Sequence, residues 1–190
     1  IVDDGSTDET PKVLEALCRQ HPESVRSLRI ANGGPGLARE AGRQAALGEF
    51  VQYLDSDDRL LPNKFTAQVA ALRRDPDAGI CNGPTLIDHE GVSESAVLGE
   101  RLPNEGPRTW FPSLLNSRRW GTGTPLYRRS LTDQAGAWEG LRMYEDWIYE
   151  AKVARLNPAV CYTNEPMLSV HRAPLERLDN IRWQDPREHL

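Results

Sequence analysis

The chain has 190 residues, and 23 Lys and Arg against 28 Asp and Glu give it a formal net charge of −5. This length suits one domain with a well-formed core, and the acidic balance without a basic run excludes non-specific binding to nucleic acid, which needs a positive surface. No apolar stretch reaches the length of a membrane span, and no signal peptide is recognisable.

Three cysteines, Cys18, Cys81 and Cys161, lie far apart and lack the spacing of metal ligands. We interpret them as buried thiols of a reduced compartment, which predicts a cytoplasmic protein, at the cytoplasmic face of a membrane if it associates with one. The chain opens at Ile1 and Val2, which read as the end of a strand already under way, so we expect a fragment of a longer domain.

The first predicted unit is a strand end, an acidic turn and a helix. Asp3 and Asp4 follow the strand in a turn rich in Asp, Gly, Ser and Thr, which bond local backbone groups. Thr10 is a suitable N-cap, with Pro11 at the first helical position. The inward stripe of the helix is predicted to be Val13, Leu14, Leu17 and Cys18. Asp3 and Asp4 either contact a ligand or shape the turn, and at least one of them is expected only to shape it.

A second strand near Leu28 and Ile30 leads into the glycine-rich loop 32–36 and another helix. Glycines let a ligand approach closely, although this loop matches neither common phosphate-binding pattern. The helix is predicted to pack Leu37, Ala41 and Ala45 on a sheet. Arg39 lies in its first turn, where a cation opposes the helix dipole. Either a negative group holds Arg39 or its side chain faces solvent.

Residues 49–62 combine an apolar run with three carboxylates. The run Phe50, Val51, Tyr53 and Leu54 predicts a buried strand. Asp55, Asp57 and Asp58 follow it directly, beyond the carboxyl end of a strand, where ligands of open α/β sheets lie. Like charges this close repel unless a cation or hydrogen-bond donors compensate them, and carboxylates suit a hard divalent metal. The segment is therefore either a site for metal and phosphate or a solvated turn in which Asp55 caps backbone donors.

A further helix and short strands at 78–82 and 85–87 complete a β-α-β-α-β-α-β pattern. The inward residues of this helix are predicted to be Phe65, Val69 and Leu72. The order of elements predicts an α/β fold of parallel strands with helices on both faces. Residues 91–109 are rich in Gly, Pro and charge and are predicted to be a long surface excursion.

The second half holds an aromatic segment and a second acidic pair. The segment contains Trp110, Phe111, Leu114, Leu115 and Trp120. Its aromatic residues are expected either to form a platform for a sugar ring or apolar acceptor or, more commonly, to pack in the core. A strand is predicted near Leu126. Glu145 and Asp146 open a helix whose inward residues are predicted to be Trp147, Ile148, Ala151 and Ala154. Acids in a first turn stabilise a helix by themselves, but a carboxylate fixed there can also act as a general base.

Closing strands are predicted at 160–162 and 167–170. His171 and Arg172 follow them, and the polar tail to Leu190 is expected to fray.

Four segments together resemble the serial motifs of family 2 glycosyltransferases of the GT-A fold. They are VDDGSTD, NGGPGLAREAGRQAALGEFVQYLDSDD, LLPNKF and YEDWIYEAKVARL, in the order of the family across residues 1–170. The resemblance implies a Rossmann-like three-layer sandwich with a mostly parallel central sheet, lacking here its first strand and helix. It also implies a single domain with a nucleotide-binding half at 1–90, an acceptor-side half at 91–170 and a tail at 171–190.

The resemblance also implies roles for particular residues. These are nucleotide binding for Asp3, Asp4, Arg39 and Asp55, metal binding for Asp57 and Asp55, and general base catalysis for Asp146, with Glu145 as the fallback. Near the end of the chain, His171 and Arg172 differ in order from the Tyr-Arg-Xaa-His element of the family. This departure favours a structural or exposed His171 over a metal or phosphate ligand.

The family chemistry is an inverting transfer from a nucleotide-diphosphate sugar, with a UDP-sugar expected, to a saccharide or lipid-linked acceptor. The resemblance implies a Mg²⁺ or Mn²⁺ ion and a role in cell-envelope or polysaccharide biosynthesis. Because the absent first strand and helix complete the nucleoside pocket of the family, weak donor binding by this chain is expected. A sugar-phosphate nucleotidyltransferase and a non-catalytic nucleotide- or sugar-binding domain are the alternatives.

Overall fold

A computed structural model describes residues 1–89, 92–98 and 121–171 of the protein. Within these ranges the helices are α1 (Thr10–Gln20), α2 (Pro35–Ala45), α3 (Lys64–Arg74), α4 (Arg129–Ala135) and α5 (Glu145–Arg155). The strands are β1 (Val2–Asp3), β2 (Leu28–Arg29), β3 (Phe50–Gln52), β4 (Arg59–Leu60), β5 (Ala78–Asn82), β6 (Thr85–His89), β7 (Val92–Leu98), β8 (Leu126–Arg128), β9 (Ala159–Tyr162) and β10 (Leu168–His171). The first half alternates strands and helices as predicted, with the short β4 added between β3 and α3.

The central sheet has the strand order β3-β8-β5-β9. β8 pairs antiparallel with both β3 and β5, and β5 pairs parallel with β9, so β3, β5 and β9 run in one direction. A second sheet has the order β4-β10-β6-β7, and β1 and β2 form a parallel pair. Because β3, β5 and β9 share a direction, their carboxyl ends meet at one edge of the sheet, where ligands of α/β folds lie.

Helices cover both faces of the central sheet. On one face, Leu72 of α3 packs with Ala78, Cys81 and Leu126. On the other face, α4, α5 and the loop between them bury Leu131, Ala135, Trp138, Tyr149, Val153 and Ala154 against Val51, Tyr53, Ile80, Tyr127 and Val160. Burial of each large apolar side chain contributes about 1.5–3 kcal/mol. This helix, sheet and helix arrangement confirms the predicted α/β fold class. The prediction that its strands are parallel holds for β3, β5 and β9 but is wrong for β8, which lies antiparallel between β3 and β5.

Several predicted inward side chains are exposed instead. They are Val13 of α1, Leu37 of α2, Leu54 after β3, Phe65 of α3 and Ile148 of α5. Three helices bury polar residues in their place, namely Glu40 in α2, Lys64 and Gln68 in α3, and Glu145 and Glu150 in α5. The predictions were wrong because apolar periodicity does not detect a polar side chain whose burial depends on hydrogen bonds or ion pairs. In α1, Thr10 is the first helical residue and Glu9 takes the N-cap position.

The predicted surface excursion over 91–109 is wrong for β7, which pairs antiparallel with β6. The polar run Ser93, Glu94 and Ser95 concealed this strand, which is hydrogen-bonded to its neighbour β6. The strand predicted near Leu126 is confirmed as β8, and the two closing strands are confirmed as β9 and β10. Other predictions lie outside the described residues, namely those for 99–109, for Trp110, Phe111, Leu114, Leu115 and Trp120, and for Arg172 and the tail.

A buried amine ties the start of α3 to the segment before β8. Nζ of Lys64 donates to the backbone oxygen of Thr124 at 2.6 Å, and Nε2 of Gln68 donates to the same oxygen at 3.0 Å. Burial lowers the pKa of Lys64 to about 7. Thus a lysine in the middle of the LLPNKF motif is a core residue that links the two halves of the chain.

The three cysteines carry free thiols, and Cys81 is buried as predicted, whereas Cys18 and Cys161 are half-buried. No helix in the described ranges has both the length and the apolar character to cross a membrane.

Candidate active site

The acidic turn after β1 is locked to the glycine-rich loop after β2. The Asp4 carboxylate accepts the backbone N–H groups of Gly33 and Gly34, each at 2.8 Å. Nδ2 of Asn32 donates to the backbone oxygen of Asp4 at 2.9 Å. β1 and β2 are parallel neighbours, so the two segments leave the sheet side by side. The loop amides therefore bind a carboxylate of the protein itself, and this contact fixes the entry into α2.

Asp3 is the more buried acid of this turn, at 4% exposed. Its Oδ1 accepts the backbone N–H of Ser6 at 2.8 Å, and its Oδ2 lies 3.4 Å from Nη1 of Arg29. Hydrogen bonds from Ser6, with a smaller effect of Arg29, hold the pKa of Asp3 below its usual value. Both acids thus shape local structure, as was expected of at least one of them.

Arg39 joins two acidic segments that are far apart in the sequence. Its Nε and Nη2 donate to Oδ1 of Asp55 at 3.2 and 2.6 Å, and its Nη1 donates to Oε1 of Glu145 at 2.7 Å. The side chain of Arg39 is 12% exposed. Burial lowers its pKa, but the two carboxylates outweigh this effect and raise it. A negative group therefore holds Arg39, as one of the two interpretations predicted, and we call these three residues the Arg39 cluster.

An aromatic stack supports the guanidinium of Arg39, which lies 4.9 Å from the ring centre of Trp138. Trp138 stacks in parallel on Tyr149 at 4.0 Å and meets the ring of Tyr53 edge-on at 4.9 Å. The hydroxyl groups of Tyr53 and Tyr149 are hydrogen-bonded at 3.0 Å. A cation over the face of a tryptophan gains about 0.5–2 kcal/mol. The stack therefore helps to fix the position of Arg39.

Glu40 follows Arg39 in α2, and its carboxylate holds the backbone of Trp138 in place. Oε2 of Glu40 accepts the N–H of Trp138 at 3.1 Å and Nε of Arg43 at 2.9 Å, and its Oε1 accepts Nη2 of Arg43 and Nε2 of Gln44, both at 2.8 Å. Burial raises the pKa of Glu40, but these hydrogen bonds lower it more. The sequence analysis missed both Glu40 and Trp138. The spacing of Glu40, Arg43 and Gln44 at i, i+3 and i+4 indicates side chains that can bond one another, but the same spacing is common on solvated helices.

Asp57 and Asp146 are close in sequence to two members of the Arg39 cluster, Asp55 and Glu145. Asp57 is exposed, two residues after Asp55, in a turn closed by a backbone bond from Asp58 N–H to Asp55 O at 3.1 Å. Asp146 is half-buried in the first turn of α5, and its Oδ1 accepts the N–H of Trp147 at 2.7 Å. Among the residues described, no three or more His, Cys, Asp and Glu side chains are grouped so that they could hold a metal ion.

A close approach at Gly36 holds α2 against the loop that precedes α5. A Cβ atom at Gly36 would collide with the backbone oxygen of Glu139 and would lie 3.3 Å from Cβ of Glu145. Since the obstacle is backbone, a side chain at this position displaces the loop. At Gly42, in the same helix, a Cβ atom would meet Cγ2 of Val2 at 3.5 Å, which is an ordinary contact.

We expect Gly36→Ala to lower the free energy of unfolding by about 1–3 kcal/mol, because overpacking pushes the loop and Glu145 away from α2. Gly42→Ala is the matched control and should be neutral or stabilising by up to about 1 kcal/mol, because alanine is the better helix former. Urea unfolding of both variants measures the difference. Equal stabilities would contradict the close approach at Gly36.

Comparison with known families identifies the chain. The model of the family described as Glycosyl transferase family 2 matches residues 1–136. The chain belongs to glycosyl transferase family 2. The resemblance drawn from its four motifs is thereby confirmed.

Curated relatives extend well beyond the region they share with this chain. The uncharacterized glycosyltransferase YibD of Escherichia coli (strain K12) is 33% identical over 124 residues, which cover 63% of this chain and 36% of YibD. The poly(ribitol-phosphate) beta-N-acetylglucosaminyltransferase TarS of Staphylococcus aureus (strain Mu50 / ATCC 700699) is 33% identical over 156 residues, which cover 80% of this chain and 26% of TarS. The chain therefore spans 36% or less of these two relatives.

Solved structures share the fold. Residues 1–349 of S. aureus TarS, in complex with UDP-GlcNAc, match with a TM-score of 0.74 and 22% identity, over 94% of this chain and 50% of that one. The mannosyltransferase PcManGT from Pyrobaculum calidifontis, in complex with GDP-Man and Mn²⁺, matches with a TM-score of 0.60 and 19% identity, over 93% of this chain and 48% of that one. These matches confirm the predicted GT-A fold.

Proposed function

We propose that this chain carries an inverting glycosyltransferase domain, which moves a sugar from a nucleotide-diphosphate sugar to an acceptor hydroxyl. The observation that supports this most is the Arg39 cluster, because it joins the acidic turn after β3 to the first turn of α5. Transfer from a nucleotide sugar agrees with the family, and a UDP-sugar is the proposed donor, since TarS is similar to this chain in sequence and in fold and its structure contains UDP-GlcNAc.

Nucleotide binding is assigned to Asp3, Asp4, Arg39 and Asp55. Both carboxylate oxygens of Asp4 hold the glycine-rich loop, so Asp4 acts by fixing the turn in which Asp3 lies. Within the described part of the chain, Asp55 and Glu145 use three of the five N–H donors of Arg39, and the other two are proposed to bind the diphosphate. Asp55 is assigned to the ribose side.

A Mg²⁺ or Mn²⁺ ion is proposed at Asp57, with Asp55 beside it. In nucleotide sites a Mg²⁺ ion commonly takes one or two carboxylates from the protein and its other ligands from phosphate and water. Asp57 is exposed on its turn, where a bound nucleotide can reach its carboxylate, and Oδ1 of Asp55 accepts from Arg39. A bound cation supplies neutralisation of the charge that builds up on the leaving diphosphate.

Asp146 is proposed as the general base and Glu145 as the residue that positions Arg39. Glu145 is 6% exposed and its Oε1 accepts from Arg39 at 2.7 Å, so its charge is already paired. Asp146 takes the proton of the acceptor hydroxyl while the acceptor oxygen bonds to the anomeric carbon and the bond to the diphosphate breaks on the opposite face. One displacement inverts the configuration of the sugar.

The acceptor is proposed to be a saccharide or a lipid-linked acceptor of the cell envelope. Two relatives support a role in the cell envelope: TarS is named for poly(ribitol-phosphate), and GgaA of Bacillus subtilis (strain 168) is named a minor teichoic acid biosynthesis protein. We assign the nucleotide to residues 1–90, the acceptor to 91–170 and neither to the tail 171–190.

We expect UDP to bind the wild-type, full-length protein more tightly with Mn²⁺ than without it, and Asp57→Ala to remove most of this gain. The affinity with Mn²⁺ should fall about tenfold or more, because one carboxylate ligand is lost. Isothermal titration calorimetry measures all four affinities, with Asp77→Ala, at another exposed acid, as the control. If the wild type has the same affinity for UDP with and without Mn²⁺, the metal site is contradicted. If it does not bind UDP at all, the proposed function is contradicted.

A further inference from the structure

Two cysteines lie opposite each other in the central sheet. Cys81 of β5 and Cys161 of β9 occupy paired positions of two parallel strands. Both side chains belong to the apolar cluster that packs with Leu72 of α3, so they project from the same face of the sheet. Cys18 lies apart from them in α1, where its thiol donates to Oγ of Ser27 at 3.4 Å. The sheet therefore contains a pair of thiols that the proposed transfer reaction does not use.

The spacing of the two strands suits a disulfide bond between these cysteines. Neighbouring strands of a sheet lie about 4.7–4.9 Å apart, and a disulfide bond joins residues whose Cα atoms are about 4.4–6.8 Å apart. The pairing of β5 with β9 continues on both sides of the cysteines, from Ile80 with Val160 to Asn82 with Tyr162. A bond between the two sulfur atoms therefore requires rotation of two side chains and leaves the strand register as it is.

The two thiols differ in their access to solvent. Cys81 is 0% exposed, whereas Cys161 is half-buried in β9, the last strand in the described order of the central sheet. The hydrogen bond between the thiols lowers the pKa of Cys161, against the effects of burial and of Asp75. The same bond raises the pKa of Cys81, and burial raises it further. Cys161 is thus the thiol of this pair that meets an oxidant first, since oxidation follows exposure and thiolate character.

We propose that Cys81 and Cys161 form an oxidisable dithiol, in which a hydroperoxide oxidises Cys161 and Cys81 then closes a disulfide bond between β5 and β9. The inference goes beyond the proposed function and does not depend on it, because it uses no residue of the Arg39 cluster or of the two acidic turns. The product is a covalent bond between two strands that are otherwise joined by hydrogen bonds.

Hydrogen peroxide supplies everything that the two steps need. The sulfur of Cys161 attacks the peroxide, so that an S–O bond forms and the O–O bond breaks, and the displaced oxygen leaves as water with the thiol proton. The sulfur of Cys81 then attacks the sulfur of this sulfenic acid, so that the S–S bond forms and the S–O bond breaks. The hydroxyl group leaves as water with the proton of Cys81. Two thiols are oxidised to one disulfide, and one peroxide is reduced to water.

Core packing without oxidation is the competing explanation, because a buried thiol behaves as a small apolar group. It makes a different prediction. If the cysteines only fill space, the half-buried Cys18 and Cys161 should oxidise independently of each other, while the buried Cys81 stays reduced. In a dithiol, by contrast, the buried Cys81 is consumed together with Cys161.

Treatment of the reduced, folded protein with an equimolar amount of hydrogen peroxide tests the proposal. Thiol titration after denaturation counts the remaining thiols, and mass spectrometry of unreduced tryptic peptides identifies the bonds. We expect the peptides of Cys81 and Cys161 to be joined with the loss of two hydrogen atoms, and Cys18 to keep its thiol. Dithiothreitol should restore all the thiols.

The same treatment in concentrated urea shows whether the fold selects this pair. Cys18 and Cys81 are the two cysteines nearest in sequence, so loop closure favours their bond in the unfolded chain. We expect a mixture that contains the bond between Cys18 and Cys81 in urea, and the bond between Cys81 and Cys161 in the folded protein. This comparison needs no variant, so it does not depend on whether a substitution folds.

Three variants assign the steps, with circular dichroism to check that each is folded. Cys18→Ala is the matched control and should form the bond in wild-type yield. Cys81→Ala should leave Cys161 as a sulfenic acid that dimedone traps, and Cys161→Ala should leave Cys81 reduced. A folded wild type in which peroxide leaves Cys81 reduced would overturn the proposal. So would a folded wild type that joins Cys18 to Cys81 or Cys161 as often as it joins those two to each other.

Discussion

Asp146→Asn should reduce the rate of glycosyl transfer about 100-fold to 10,000-fold, which is the usual contribution of a general base. Asparagine keeps the shape of the side chain and an oxygen for the N–H of Trp147, but it does not take a proton from the acceptor hydroxyl. The free energy of unfolding should change by less than about 1 kcal/mol, because only one first-turn charge is lost. Release of UDP from UDP-sugars measures the rate, and calorimetry should give an unchanged affinity for UDP.

Glu145→Gln is the control for this result, because it neutralises the adjacent carboxylate. The charge of Glu145 is paired with Arg39, so Glu145→Gln should lower both the free energy of unfolding and the affinity for UDP. Its chemical step, at saturating donor, should be less affected than that of Asp146→Asn. Wild-type turnover in Asp146→Asn would remove Asp146 from the mechanism, and a reversed order of the two variants would assign the base to Glu145.

Arg39→Lys should lower the free energy of unfolding by about 2–3 kcal/mol and weaken binding of UDP roughly tenfold to a hundredfold. Lysine keeps the positive charge, but a single ammonium group does not reproduce the fork that donates to Asp55 and Glu145 at once. Either the buried carboxylate of Glu145 or the partly exposed carboxylate of Asp55 is then left without its partner. Urea unfolding and calorimetry measure the two effects.

Arg43→Lys is the matched control one turn further along α2. Arg43 is similarly shielded and pairs with Glu40 and Asp133, so its replacement should also destabilise the fold. It should leave the affinity for UDP unchanged, because Arg43 has no contact with the Arg39 cluster among its described ion pairs. Equal losses of UDP binding in both variants would mean that a general loosening of α2, and not the role of Arg39, is responsible.

Strand ends were the part of the site that the sequence predicted best. The apolar run before Asp55 and the break at its carboxylates located the end of β3, and the four motifs in series located α2 and α5 beside it. Arg39 was a candidate because a cation in a first helical turn is unfavourable without a negative partner, although a solvent-facing side chain was the equal alternative. Its partners proved to be Asp55 and Glu145, two residues that the same analysis had singled out separately.

Buried polar contacts were the part that the sequence did not predict. Apolar periodicity predicted that Phe65, Leu37 and Ile148 face the core. The same helices bury Lys64, Glu40 and Glu145 instead. Their burial depends on partners such as Thr124 and Trp138, about 60 and 98 residues away in the chain. A pattern within one helix contains no information about such distant partners.

The bonds from Gly33 and Gly34 to Asp4 close the glycine-rich loop to free anions. An inorganic phosphate that approached these amides would meet the carboxylate of Asp4 instead of free N–H donors. Under the proposed function, the described residues then offer the diphosphate Arg39 and an exchangeable ion at Asp57. Donor occupancy would follow the cellular supply of divalent cations, so that the rate of sugar transfer reports ion availability as well as the level of activated sugar.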